Sequence, residues 1–324
     1  MKKPKKKARS RSPALLEGVL AGDVRSVARA ITLVEEAAPE ARRLLAALFP
    51  HAGRSLVLGL TGPPGAGKST LVDRLTADLR RQRKTVGIVA VDPTSPFSGG
   101  AILGDRIRMQ AHATDGGVFI RSMATRGHLG GLAAATGDVL TVLAASGKDV
   151  ILVETVGVGQ AEVEIVGTAD VSIVVLVPGL GDEVQTLKAG IMEIADVFVV
   201  NKADREGVER LVAEIESMLS LGAHDGHIPA IVRTVATDDQ GVEDLLKAVE
   251  AFRAWAEATG VLAKKRRVHL RRQLENALRD RLLGRIRTRY LSPPEVERTV
   301  NRLASRRLDP VTAADRLLKK MGLS

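Results

Sequence analysis

The chain has 324 residues, of which 45% are hydrophobic and 27% charged, a balance typical of a globular protein large enough to bury a full core. It contains no cysteine, which excludes disulfides, thiolate metal ligands and cysteine nucleophiles and fits a reducing, cytoplasmic compartment. No apolar run approaches the roughly 18 residues that cross a bilayer, so the sequence predicts no membrane partner.

The net charge of +10 is concentrated at the two ends of the chain. Residues 1–12 carry seven Lys or Arg and no acid, and residues 264–324 carry eighteen bases and six acids, which leaves −9 for residues 13–263. Basic segments can bind nucleic acid, but only 2% of the residues are aromatic and able to stack on bases. We therefore predict a disordered basic tail over residues 1–12, solvated basic helices at the other end, and no nucleic-acid partner.

Apolar residues recur at helical spacing through residues 13–54, for example at Val27, Ile31 and Val34. This pattern predicts N-terminal amphipathic helices. We expect them to act as packing elements for the domain that follows.

Residues 56–60 then have the length and composition of a buried strand, and they lead into a segment that satisfies G-x-x-x-x-G-K-[ST]. The segment reads Gly62, Pro63, Pro64, Gly65, Ala66, Gly67, Lys68, Ser69, and Thr70 follows at the start of a helical pattern. A strand, a glycine turn and a helix N-terminus in this order predict a phosphate-binding loop formed by these nine residues. Lys68 is expected to contact the β and γ phosphates, and the Ser69 hydroxyl to hold Mg²⁺.

Two further predicted strands end in carboxylates. Residues 86–91 end at Asp92, and residues 150–153 lead into Glu154. Because parallel strands present their carboxyl ends at one edge of a sheet, both acids are candidates to hold Mg²⁺ or to orient water. Asp92 also fits a simple turn before a proline, and Asp105, a third candidate near the metal, fits a helix N-cap equally well.

The segment after Glu154 carries glycines, of which Gly157 is the first. A strand-end acid followed by a glycine whose N–H can bond the γ-phosphate is typical of a nucleotide-sensing switch loop. An ordinary strand-to-helix turn is the alternative.

Residues 197–200 form another apolar strand, and the chain continues with the N-K-x-D pattern Asn201, Lys202, Ala203, Asp204. The Asp204 carboxylate can accept from both N1–H and the exocyclic amine of guanine, whereas adenine offers no matching pair of donors. The pattern therefore predicts guanine specificity. A last strand near residue 231 leads to Ala236, whose N–H is a candidate to contact the guanine oxygen.

Strands and helices alternate over residues 55–260, which predicts an α/β domain with a doubly wound, mostly parallel sheet. Residues 261–324 differ, because an apolar stripe runs along a very basic helix until Pro293 and Pro294 interrupt it. Further helices follow, the last of them capped by Asp309. This helical extension either folds back on the domain or forms the arm of a dimer.

Taken together, these motifs resemble the MeaB family, the G-protein chaperones of adenosylcobalamin-dependent methylmalonyl-CoA mutase. The resemblance extends from about residue 15 to the C-terminus and rests on T-G-P-P-G-A-G-K-S-T, V-D-P-T-S-P-F-S-G-G-A-I-L-G-D-R-I-R-M, M-A-T-R-G-H-L-G-G-L, E-T-V-G-V-G-Q and N-K-A-D. It implies a P-loop GTPase that uses GTP/GDP and Mg²⁺, forms a homodimer through its C-terminal helices, protects the mutase and gates cofactor delivery. It also implies that residues 178–188 form an additional switch toward the mutase. The residues implied around Mg²⁺ are Ser69, Asp92, Asp105 and Glu154.

A metabolic kinase or phosphotransferase could use the same loop to pass the γ-phosphate to a small molecule. Such an enzyme needs a substrate pocket and usually a lid, whereas a switch needs glycine-rich γ-phosphate sensors, and the sequence shows the latter. The leading prediction is a Mg²⁺-dependent GTPase acting as a chaperone of the mutase, with Lys68, Asp92 and Glu154 as the catalytic residues.

Overall fold

A computed structural model describes residues 12–92, 112, 114–124, 131–155, 167–179, 194–221, 226–289, 293–320 and 322. The contacts divide the chain into two compact units, Met1–Arg271 and Arg272–Ser324. The first unit contains the sheet, and the second consists of helices.

Three helices precede the sheet and seven strands build it. The helices are α1 (Ser12–Leu20), α2 (Val24–Glu35) and α3 (Pro39–Leu48). The strands are β1 (Leu56–Thr61), β2 (Val86–Asp92), β3 (Val118–Ala124), β4 (Val150–Thr155), β5 (Val171–Leu176), β6 (Val197–Asn201) and β7 (Ala230–Thr234).

Helices also connect the strands and extend the chain beyond them. They are α4 (Lys68–Arg81), α5 (Gly131–Ala145), α6 (Val208–Leu221), α7 (Val242–Ala258), α8 (Val261–Arg289), α9 (Pro293–Ala304) and α10 (Pro310–Lys320). Among the described residues, no helix combines the length and apolar composition needed to span a bilayer.

The seven strands form one sheet in the order β3-β2-β4-β1-β5-β6-β7, and every pairing is parallel. The predicted α/β fold with a parallel sheet is therefore confirmed. In the centre of the sheet, Leu60 pairs with Glu154, and Glu154 pairs with Ala90. This register places the carboxyl ends of β1, β2 and β4 side by side, where a parallel sheet of this kind binds ligands.

Both faces of the sheet are buried, because alternate residues of each strand enter different cores. In β4, Val150 and Leu152 pack in the core that contains α4 and α7. Ile151 and Val153 pack on the opposite face in the core that contains α1, α2, α3 and α5. Helices on both faces explain why the strands are continuous apolar runs rather than alternating patterns.

The N-terminal helices are attached to the sheet by a buried ion pair as well as by apolar packing. The Arg121 guanidinium on β3 donates through Nε to Glu35 Oε1 on α2 at 3.0 Å, and its Nη2 also contacts Glu35. The same guanidinium lies 3.4 Å from the Thr32 hydroxyl. These helices are packing elements of the first unit, as their amphipathic spacing predicted.

The first turns of α8 are tied to the opposite, amino-terminal edge of the sheet. Arg266 donates to both carboxylate oxygens of Asp170, at 2.7 and 2.9 Å, just before β5 begins. Lys265 pairs with Asp196, which precedes β6 and also accepts from the Ser172 N–H at 2.7 Å. Burial raises the pKa of Asp196, and the neighbouring Lys265 ammonium acts in the opposite direction. These contacts explain why the first compact unit includes the start of α8.

In the second unit, the start of α10 follows a local rule that the sequence contains. Asp309 accepts from the Thr312 N–H at 2.9 Å, and Pro310 occupies the first position of α10. A side-chain acceptor before a proline at the first helical position is a favourable N-terminus. Within this unit, Lys320 near the end of α10 pairs with Glu295 on α9.

Candidate functional site

The segment from Gly62 to Ser69 forms a tight turn between β1 and α4 in which two glycines are sterically required. Gly62 has a φ of 145°, and a Cβ there would lie 2.0 Å from the Val175 carbonyl oxygen. Gly67 has a φ of 88°, and its Cβ would lie 2.3 Å from Asn201 Nδ2. A side chain at Gly62 would strike the backbone of β5, and one at Gly67 would displace the Asn201 side chain at the end of β6. The loop is thus shaped by close contact with β5 and β6.

Lys68 begins α4 and is buried, with 5% of its surface exposed. Its Nζ donates to the Gly62 carbonyl at 2.7 Å and to the Pro63 carbonyl at 2.9 Å. These two bonds hold the ammonium charge inside the turn at the N-terminus of a helix. A phosphate bound there would meet both the helix dipole and a fixed cation.

The Ser69 hydroxyl donates to Glu154 Oε1 at 2.5 Å, so the structure brings together two of the four residues implied around Mg²⁺. Glu154 is 3% exposed and lies beside Leu60 in the sheet register. A hydroxyl and a carboxylate are the hard oxygen ligands that Mg²⁺ binds, so their chemistry fits this ion.

The other residues of the predicted metal set and switch cannot be placed in the same way. Asp92 closes β2, one residue beyond Val91, which pairs with Thr155, but only its backbone is described. Asp105 and Gly157 lie outside the described residues, as do residues 180–188 of the predicted additional switch. Within the described part of the chain, no group of three or more His, Asp or Glu residues converges on one point.

The N-K-x-D segment is bonded directly to the phosphate loop. Asn201 donates through Nδ2 to the Ala66 carbonyl at 2.8 Å, and Lys202 donates through Nζ to the Gly65 carbonyl at 2.7 Å. The Asp204 side chain is exposed at the edge of the sheet. Asparagine and lysine therefore fix the relative position of the two motifs and leave the aspartate accessible to a base.

Asn201 also holds the segment after β7. Its Oδ1 accepts from the Thr234 hydroxyl at 3.0 Å and from the Ala236 N–H at 3.2 Å. The Ala236 N–H, which the sequence suggested as a contact for the guanine oxygen, is thus engaged by Asn201 in this structure. The guanine contact of Ala236 stays a prediction.

Sequence reasoning missed two polar residues at this edge. The Thr155 hydroxyl donates to the Leu60 carbonyl at 3.3 Å and can accept from the Thr61 hydroxyl at 3.1 Å, joining the ends of β4 and β1. Arg74 on α4 donates to the backbone after β7. Thr155 belongs to the E-T-V-G-V-G-Q segment, but the segment does not reveal this bond, and Arg74 belongs to none of the motifs.

A phosphate loop, a strand-end acid in contact with it and an N-K-x-D segment bonded to it, all at one edge of a parallel sheet, define a P-loop GTPase. The family model described as methylmalonyl Co-A mutase-associated GTPase MeaB matches residues 27–290. The chain belongs to the MeaB family, binds guanine nucleotides and hydrolyses GTP to GDP and phosphate.

Two curated relatives carry GTPase names, a third matches most of the chain, and one solved structure shares the fold. A Pyrococcus abyssi protein, provisionally named a GTPase, is 49% identical over 311 residues, covering 95% of this chain and 96% of the relative. The Escherichia coli GTPase ArgK is 36% identical over 276 residues, covering 81% of this chain and 83% of the relative. The mouse mitochondrial methylmalonic aciduria type A homolog is 33% identical, covering 94% and 78%. The solved structure titled LAO/AO transport system kinase has a TM-score of 0.71 at 26% identity, covering 98% of this chain and 100% of that one.

Proposed function

We propose that this GTPase is a Mg²⁺-dependent switch that serves methylmalonyl-CoA mutase as a chaperone, protecting it and gating the delivery of adenosylcobalamin. The contact between Ser69 and Glu154 carries the switch part of the proposal. This contact joins the start of α4, where phosphates would bind, to the carboxyl end of β4. The chain continues from there to Gly157. A change at the phosphates can therefore reach the segment that follows β4. The family's name and the name of the mouse relative support the choice of the mutase as partner.

The proposal assigns roles to the site residues as follows. Lys68 neutralises the β and γ phosphates, and the backbone of residues 62–70 cradles them. Ser69 and Glu154, together with Asp92 and Asp105, would hold Mg²⁺, which would supply charge stabilisation at the phosphates when bound. Asn201 and Lys202 would position Asp204 for the N1–H and amine of guanine, and the Ala236 backbone N–H would contact the guanine 6-oxygen.

The partner assignment is tested by measuring GTP turnover with and without the adenosylcobalamin-dependent mutase of the same organism. We expect the mutase to raise turnover by about tenfold or more, because a partner can complete or order a slow GTPase site. Asp182→Ala and Lys188→Ala, in the predicted additional switch, should reduce this acceleration and leave the basal rate nearly unchanged.

Radiolabelled GTP serves as the control for the reaction class. The label should be released as inorganic phosphate. Transfer of the label to a metabolite would favour a phosphotransferase. If the protein hydrolyses GTP alone, but the mutase neither binds it nor accelerates its GTP hydrolysis, the GTPase assignment stands and the chaperone assignment is wrong.

We further propose that residues 261–324 form a dimerisation arm, because α8 exposes leucines at four-residue spacing. Leu270, Leu274, Leu278 and Leu282 are each between 44% and 61% exposed. A second copy of the same helix could cover this stripe.

We expect Leu274→Arg combined with Leu278→Arg to shift the protein toward monomers in sedimentation equilibrium. Glu275→Arg, an exposed substitution beside the stripe, should leave the association state unchanged, and a monomeric unmodified protein would contradict the proposal.

A further inference from the structure

The segment after β7 forms a closed turn that is well defined by its own backbone. Residues Ala236–Asp238 make a single turn of 3₁₀ helix. On either side of it, the Val235 N–H donates to the Gln240 carbonyl at 3.1 Å, and the Gln240 N–H donates back at 3.2 Å. Gly241 has a φ of 74°, and a Cβ there would lie 2.0 Å from the Arg233 carbonyl oxygen, so the exit of the turn packs tightly on β7. The turn is a compact unit whose position depends on what holds it from outside.

Two side chains from other parts of the fold hold Ala236 from its two polar sides. Asn201 Oδ1 accepts from its N–H, as described above. Arg74 Nε donates to the Ala236 carbonyl at 3.1 Å, and Arg74 Nη2 donates to the Thr237 carbonyl at 3.3 Å. The planar guanidinium thus spans two successive carbonyls of the turn with donors whose relative geometry is fixed.

Arg74 projects from the same helix that begins with the phosphate-binding residues. It follows Lys68 by six positions on α4 and is half-buried. Asn201, the other holder of Ala236, also donates to the Ala66 carbonyl of the phosphate loop. The turn after β7 is therefore connected to the phosphate site in two ways, through Asn201 and through Arg74.

We propose that Arg74 is a positioning residue for guanine recognition, which fixes the Ala236–Asp238 turn so that its backbone can read the 6-oxygen of the base. The inference rests on the proposed guanine contact of Ala236. In this proposal Arg74 acts on the turn through the Ala236 and Thr237 carbonyls and not on the nucleotide. It acts by holding the turn in place while the Ala236 N–H is shared with, or passes from Asn201 Oδ1 to, the 6-oxygen of the base, so that little free energy is spent on ordering the turn when the nucleotide enters.

The test uses the full chain and three diphosphates that separate the two sides of the base. In 6-thio-GDP the 6-oxygen is replaced by sulfur, a weaker acceptor, while the N1–H and the amine for Asp204 remain. In inosine diphosphate the amine is missing, while the 6-oxygen remains. The ratio of the affinities for GDP and 6-thio-GDP therefore reports on the turn, and the ratio for GDP and inosine diphosphate reports on Asp204.

Arg74→Met keeps much of the side-chain length and removes the donors. We expect GDP affinity, measured by displacement of a fluorescent nucleotide, to fall by about tenfold, the scale of one to two lost hydrogen bonds. The preference for GDP over 6-thio-GDP should narrow, and the preference over inosine diphosphate should stay as in the unmodified protein. Arg74→Lys, which can make a single bond, should give an intermediate result.

Arg81→Gln is the matched control, because Arg81 lies on the same helix, is exposed, pairs with Asp78 of that helix and meets the turn at the Asp239 side chain, at 3.4 Å, rather than at a backbone carbonyl. It removes the same charge and should change neither ratio. If Arg74→Met leaves both ratios unchanged, or lowers both equally, Arg74 does not position the turn. If that variant does not fold, the same ratios in Arg74→Lys decide the question. A failure of the unmodified protein to prefer GDP over ADP would instead overturn the guanine site itself.

Discussion

Lys68→Ala is expected to lower the GTP hydrolysis rate by about a thousandfold, the upper end of the range for loss of one preorganised charge-stabilising group. The Lys68 ammonium is buried inside the phosphate loop and held by the Gly62 and Pro63 carbonyls. Removing it deprives the phosphates of their fixed cation and leaves those two carbonyls without this donor. The measurement is single-turnover hydrolysis of GTP at saturating Mg²⁺.

Two sets of variants make this result specific. Lys247→Ala removes an exposed lysine of α7 and should leave the rate unchanged. Glu154→Ala and Asp92→Ala should chiefly raise the Mg²⁺ concentration needed for half-maximal turnover, so added Mg²⁺ should restore part of their rate and none of the rate of Lys68→Ala. Intact hydrolysis in Lys68→Ala would mean that this loop is not the catalytic phosphate site.

The sheet and the phosphate loop could be predicted from the sequence because their signals are local. A strand buried on both faces is a short apolar run, and β4 shows this pattern, with all six residues buried. The loop has fixed residue types at fixed spacing, since Gly62 and Gly67 each lie where a Cβ would strike a neighbouring strand end. Local sequence rules also located the capped start of α10 at Asp309 and Pro310.

The links between the motifs could not be predicted, because they join residues far apart in the chain. The bond from Asn201 to Ala66 spans 135 positions, and the bond from Arg74 to Ala236 spans 162. Such contacts depend on which strands become neighbours, and a single sequence does not state the strand order. The clamp of Arg266 on Asp170 is of the same kind, at 96 positions. It brings the first turns of the basic helix α8 into the first compact unit, a connection that composition alone could not reveal.

Within N-K-x-D, the bonded residues differ from the exposed one. Asn201 is 2% exposed. Its amide nitrogen donates to the Ala66 carbonyl, and its amide oxygen accepts from the Thr234 hydroxyl and the Ala236 N–H. Lys202 adopts a φ of 56° and bonds the Gly65 carbonyl. Both residues hold parts of the site together, whereas Asp204 is exposed, which fits its proposed contact with the base. Substitutions at Asn201 or Lys202 should therefore affect both the phosphate loop and the binding of the base, while a change at Asp204 should alter mainly the choice of base.

Asp204→Asn is expected to move the nucleotide preference from guanine toward xanthine by about 2–4 kcal/mol, because the change turns an acceptor into a donor opposite the base. Guanine then presents two donors to a group that can no longer accept both, and xanthine presents a carbonyl where guanine has its amine. We expect the ratio of the GDP affinity to the xanthosine diphosphate affinity to be about 30-fold to 1,000-fold lower in Asp204→Asn than in the unmodified protein. The measurement is competitive displacement of a fluorescent nucleotide by GDP, xanthosine diphosphate and ADP.

Glu206→Gln provides the matched control for this switch, since Glu206 is an exposed acid two residues further along the same segment. It removes one negative charge near the site without changing the pattern of donors and acceptors toward the base, so guanine preference should persist. A xanthine shift in Glu206→Gln of the same size would attribute the effect to net charge rather than to hydrogen bonding. Retained guanine preference in Asp204→Asn would show that another group reads the base, and equal binding of ATP and GTP by the unmodified protein would contradict the guanine site altogether.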